Sequence, residues 1–164
     1  MSASKRIEDY LEETLDALED DDFEVVEDER HAGTKFRAAA FKTGAYGIAK
    51  RELVFVFKKF TRLNADKLEE FVDDAYSYAN QTRRSTWALG ISNLLWVYAV
   101  ALAEEVTEEV IDDVTDDKPK TMGFGYIALP VVYDAAEDAV HFYERSSMAT
   151  NPVVKYAEKY LSGD

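Results

Sequence analysis

The 164-residue chain contains no cysteine. That excludes disulfides, thiolate metal sites, iron–sulfur clusters and cysteine nucleophiles. With only two histidines, a histidine-rich metal cage is excluded as well. Long hydrophobic runs are also missing. The most apolar stretch, residues 87–103, is interrupted by Gly90, Ser92 and Asn93 and falls short of the roughly 20 residues that span a bilayer. The first residues, Met1 to Asp9, enter acidic helical sequence at once, unlike a signal peptide. A cytoplasmic location with no membrane partner is therefore expected.

Positive charge is scarce overall. Thirty-three Asp and Glu face 19 Lys and Arg, giving −14 at neutral pH, which opposes a default reading as a nucleic-acid or anionic-membrane binder. What the chain does have is core: 47% hydrophobic and 13% aromatic residues exclude a disordered polymer. Its length suits one domain, residues 1–164, able to bury roughly 70% of the surface of the unfolded chain.

The acid is spread along the chain in pairs such as Glu12-Glu13, Asp73-Asp74, Glu104-Glu105, Asp112-Asp113 and Asp116-Asp117. This pattern resembles cytosolic proteins of salt-accumulating halophiles. At molar salt the Debye length falls to about 3 Å, so carboxylate repulsion is screened and a hydrated acidic coat keeps a protein soluble.

Periodicity predicts an amphipathic helix over 4–19, with Ile7, Leu11, Leu15 and Leu18 on one face. Strands are predicted over 23–29 and 34–42, joined at His31-Ala32-Gly33, then a Gly44–Gly47 loop and a strand over 52–60. The last is apolar on both faces, as a central strand must be. Asn64 predicts a helix start, with Leu63 and Leu68 at the staple positions. A polar connection over 80–86, a buried strand over 94–103 and a short helix capped by Thr107 follow. A hairpin of 124–133 and 139–143 carries Pro130, a mark of an edge strand or bulge, and Asn151-Pro152 open a last helix. The expected fold is α+β, a mostly antiparallel or mixed sheet flanked by helices in the order α-β-β-β-α-β-α-β-β-α.

Chemical motifs are sparse. Gly123-Phe-Gly125-Tyr-Ile-Ala128 matches a loose dinucleotide fingerprint, but a strand, not a helix, is predicted after it. Asp112 with Asp116, or Asp113 with Asp117, could share a weakly held cation, though a solvated helix face explains them better. His31 and His141 have no triad partner placed by sequence. No cofactor, metal site or catalytic residue is assigned.

The informative feature is a charge inversion. From Arg30 to Arg62 nine basic residues accompany one acid, Glu52, so this segment is +8 and leaves −22 on the remainder. Lys35 and Arg37 are expected to share a strand face interleaved with Phe36. Three readings follow: neutralisation of the acidic first helix within the fold, charge-complementary assembly of two copies, or contact with a polyanion. The polyanion candidates are Lys35, Arg37, Lys50, Arg51, Lys58, Lys59, Arg83 and Arg84.

The opening order α-β-β-β-α-β over residues 4–103, with a hydrophobic third strand ending in Lys58-Lys59, resembles the restriction-endonuclease-like fold. That resemblance implies an acid on the second strand and an acid-x-lysine on the third, holding a divalent metal. Here Val56 and Phe57 stand two residues before the lysines, and residues 34–42 hold no carboxylate. No cleavage site carries over. The expectation is a non-catalytic structural or interaction module that self-associates into a homo-oligomer, through the C-terminal helix and the hairpin near Tyr126, Tyr133 and Tyr143. The alternative is a nucleic-acid binder using the basic 30–62 segment.

Overall fold

A computed structural model describes residues 1–46, 49–82, 93–117, 119–123, 125–143 and 151–163. Helix α1 (Ala3–Asp20) precedes strands β1 (Glu24–His31), β2 (Thr34–Tyr46) and β3 (Ala49–Leu63). Helix α2 (Ala65–Gln81), strand β4 (Asn93–Val106) and helix α3 (Glu108–Asp116) follow. Strands β5 (Lys120–Gly123), β6 (Tyr126–Asp134) and β7 (Ala139–His141) lead to helix α4 (Asn151–Leu161). The α+β class and the element order are those expected, with one short strand more, β5.

The seven strands form one mixed sheet in the order β1-β2-β3-β4-β6-β5, with β7 also on β6. β3–β4 and β4–β6 are parallel; the other pairs are antiparallel. A parallel centre needs cover on both faces, and the sequence of β3 supplies it. Leu53, Phe55 and Phe57 pack with Ile7, Leu11, Leu15 and Leu18 of α1 and with Val153, Val154, Ala157 and Leu161 of α4. Val54 and Val56 point the other way, onto Phe71, Val72 and Ala75 of α2 and Val110 and Val114 of α3. The result is a three-layer domain with two helices on each face.

Local signals fix the helix starts. Asn64 Oδ1 accepts the Lys67 amide at 2.9 Å, and Ser2 Oγ accepts that of Lys5 at 3.2 Å, each satisfying an amide that the first turn leaves without a partner. Thr107 precedes α3 but makes no side-chain capping bond. The β1–β2 turn has both central residues at positive φ, Ala32 at 50° and Gly33 at 83°, which matches the right-handed twist of a hairpin. Pro130 lies on the outer edge of β6, between the stretch paired with β5 up to Ala128 and the stretch paired with β7 from Val132. Its missing amide is not needed there.

Two features of β1–β3 depart from the sequence reading. Gly44 to Tyr46 do not form a loop; they continue β2 and pair with Arg51 to Ala49. The face alternation also reverses within the β1–β2 ribbon. Val26 packs on the α2 side. Glu29 and His31, an odd number of residues away from it, also meet α2 through Tyr78 and Ser77. Asp28, at φ 54°, lies at the reversal. On β2 the matching change falls between Phe36, in the α2-side cluster, and Ala38, in the α1-side cluster. Beyond this point β2 no longer pairs with β3: their register ends at Ala38–Phe57, while β3 runs on to Leu63 beside β4.

Candidate functional site

The basic candidates divide among different surroundings. Arg83 and Arg84 lie outside the described residues. Lys35 and Lys50 are exposed, the first near the β1–β2 turn and the second at the far end of the β2–β3 hairpin. Phe36 does not share their surface, being wholly buried against α2.

Arg37 is engaged with the α1 face. Its guanidinium donates to Glu8 at 2.8 Å and reaches Asp28 at 3.4 Å. It also lines a groove with Glu8, Glu12, Asp16, Glu19 and Glu27. A polyanion approaching Arg37 would meet five carboxylates. Here the reading of neutralisation within the fold accounts for the geometry.

Arg51 anchors the last helix. Its guanidinium lies 5.0 Å from the Trp96 ring centroid and 4.8 Å from that of Tyr156, and it donates to the Tyr156 hydroxyl at 2.8 Å. Nearby, Asp21 gathers Lys42 at 3.8 Å, Lys159 at 3.0 Å and the Tyr160 hydroxyl. The Tyr160 hydrogen bond, followed by that of Lys159, holds the Asp21 carboxyl below its usual range. Burial, before the Asp21 contact, pushes the Tyr160 hydroxyl up to about 12. Tyr98, raised well above the ordinary tyrosine value by burial, donates to the Val153 carbonyl at 2.8 Å. These contacts close a small pocket of about 170 Å³ and tie α4 to the sheet.

The surfaces proposed for self-association are largely used by the domain itself. Val153, Val154, Ala157, Tyr160 and Leu161 of α4 are buried, as are Tyr133 and Tyr143, whereas Tyr126 is half-buried. Tyr133 stacks on Tyr10 at 4.1 Å, and the Tyr10 hydroxyl donates to the Leu161 carbonyl at 2.7 Å. Among the described residues the one large exposed hydrophobic side chain is Met1.

Lys58 and Lys59 do converge with other cations. Together with Arg62 and Lys67 they line a groove of about 360 Å³ at the end of β3, accompanied by Phe60, Phe71 and a single carboxylate, Glu70. Strand alternation turns Lys58 and Phe60 to the α2 side, where the Lys58 ammonium lies 5.1 Å from the Phe60 ring centroid. Lys59 points to the other face, donating to Ser4 Oγ at 3.0 Å with Glu8 at 3.6 Å. The Lys67 ammonium donates to the Arg62 carbonyl at 3.1 Å. Phe71 floors the groove, 5.6 Å from Phe60 of β3 and 6.2 Å from Phe36 of β2. Arg62 was visible in the basic segment. Lys67 sits three residues past the capping Asn64, among helix acids, and no sequence signal joined it to the lysines of β3.

The other motifs resolve structurally. Gly123 and Gly125 serve the β5–β6 connection, with strand following; at Gly125, φ 77°, a Cβ would come within 2.6 Å of Leu94. His31 Nε2 lies 3.2 Å from Ser77 Oγ, a partner that sequence spacing did not reveal. Ser77 sits inside α2, where backbone amides are committed to the helix and provide no oxyanion cradle. Among the described residues no group of three or more His, Asp or Glu side chains is placed to hold a metal ion, and no helix is long and apolar enough to cross a membrane.

The chain matches no known family, curated protein or solved structure.

Proposed function

We propose that this protein is a non-catalytic interaction module that holds an anionic segment of a partner in the groove of Lys58, Arg62 and Lys67. The observation that carries the reading is the convergence of three cations, Lys58, Arg62 and Lys67, with one carboxylate in a chain of net charge −14. Lys59 also lines the groove but has its ammonium on Glu8 and Ser4. Such a local inversion of sign steers and orients an oppositely charged partner. Arg37 and Arg51, by contrast, have their charge committed inside the fold.

The restriction-endonuclease-like resemblance gives no support to cleavage. At the positions where that fold would hold its third-strand acid, Val56 and Phe57 are wholly buried apolar residues. A water-activating divalent metal needs oxygen ligands that these positions do not supply. The acidic coat fits a cytoplasmic protein working at molar salt.

A second reading is self-association, in which the acidic surface of another copy enters the groove. The −22 carried outside the basic segment favours it.

Anisotropy titrations of labelled oligoglutamate, duplex DNA and single-stranded RNA, from low to molar potassium chloride, test the proposal. Saturable binding that is lost in the Lys58→Glu/Arg62→Glu variant and kept in Lys35→Glu/Lys50→Glu is expected. Binding unaffected by the first pair, or none where circular dichroism reports a folded chain, refutes it. Light scattering across protein concentration reads self-association separately.

A further inference from the structure

We infer that the groove recognises an extended acidic peptide, which joins the sheet as an added strand along the free edge of β3. The inference rests on the proposed anionic-partner reading and deepens it. Its independent observation is the ladder itself. β2 pairs with β3 only as far as Ala38–Phe57, yet β3 continues through Leu63, held on its other side by β4 up to Leu63–Val106. From Lys58 onward the β2 side of β3 therefore has no paired strand among the described residues. A strand edge offers alternating amide donors and carbonyl acceptors, a template for another extended chain.

The side chains on this edge specify the guest. Lys58 and Phe60 alternate onto the α2 side, and Arg62 and Lys67 line the same groove. Lys59 turns to the other face and already has Glu8 and Ser4. The strand cations available to a partner, Lys58 and Arg62, thus line one groove four residues apart. An added strand matches that spacing with acids at every second position, its intervening residues facing the neutralised side. Phosphodiester backbones carry charge but no ladder of amide donors and carbonyl acceptors. A long nucleic acid would also extend beyond the groove onto an acidic surface. At molar salt, where charge acts over about 3 Å, backbone hydrogen bonds persist while counterion-driven phosphate contacts fade.

The probe is a fluorescein-labelled nine-residue peptide of alternating glutamate and valine. Its control is the same sequence N-methylated throughout, which keeps the charges and removes every backbone donor. Oligothymidylate of similar charge serves as the nucleic-acid probe. Binding of the first peptide, at least tenfold weaker for the N-methylated form and at least tenfold weaker for Lys58→Glu/Arg62→Glu protein, supports strand addition. Equal binding of both peptides overturns strand addition while leaving the anionic groove standing. Oligothymidylate binding at the groove with no peptide binding overturns the peptide partner in favour of a nucleic acid. No binding of any probe to the folded protein removes the groove reading itself.

Discussion

Replacing Arg51 by lysine keeps the charge and removes the planar fork, so it separates a structural role from a ligand-binding one. The guanidinium has a Trp96 ring at 5.0 Å, a Tyr156 ring at 4.8 Å and the Tyr156 hydroxyl at 2.8 Å. Cation–ring contacts contribute about 0.5–1 kcal/mol each at partly exposed sites, and a hydrogen bond about 1 kcal/mol. A compact ammonium can keep one ring contact but cannot face both rings and reach the hydroxyl. Arg51→Lys is therefore expected to lose about 2 kcal/mol, a fall in Tm of roughly 4–8 °C for a domain of this size. Tyr156→Phe removes the hydroxyl alone and should lose about 1 kcal/mol. In the double variant the two losses should not add, because both act on one contact. Urea denaturation with thermal melts measures all three. An unchanged Tm in Arg51→Lys, together with weakened anion binding, would refute the assignment and return Arg51 to the binding surface.

Rebuilding an acid-x-lysine by Val56→Asp should yield no metal-dependent cleavage. It should destabilise the domain by several kcal/mol, since an unpaired carboxylate would sit at a wholly buried position; melting curves and a nuclease assay with magnesium check both halves. Leu18→Ala, at a wholly buried site of the α1 face, should cost about 2–5 kcal/mol in urea unfolding. Tyrosine ionisation followed by ultraviolet absorbance should show Tyr160 titrating near 12. Its folded value lies above the unfolded one, so its contribution to stability is complete below pH about 10 and is lost as pH rises toward 12. Asp21 runs the other way. Its carboxyl is held low, so its contribution is complete above pH about 4 and is lost as pH falls through the lowered value. The stability gap between wild type and Asp21→Asn should therefore narrow in acid, and a gap that is unchanged at pH 3 contradicts the contact.

Much of the architecture was legible because it rests on short-range pattern. The Ile7–Leu18 stripe, the Asn64 cap and the two-faced apolar run of β3 each name an element and the face it buries. β5 escaped because Lys120–Gly123 is too short to show a period. The Gly44–Tyr46 extension escaped because glycine reads as a loop until its partner strand is known. The charge inversion was legible, but its meaning was not. Whether Arg37 meets Glu8 or a ligand depends on how β2 crosses α1, and the face reversal at Asp28 is invisible without coordinates. Lys67 lies on α2 and Lys58 and Arg62 on β3, so their convergence depends on how the helix folds back beside the strand.

The most direct test of the central claim is amide chemical-shift mapping of the whole chain, titrated with the alternating glutamate–valine peptide. The account predicts that the largest perturbations fall on Lys58 to Arg62 of β3 and Lys67 to Phe71 of α2, with Lys42, Arg51 and Lys159 little affected. Perturbations centred on those last three residues, or spread evenly over the basic surface, would contradict it.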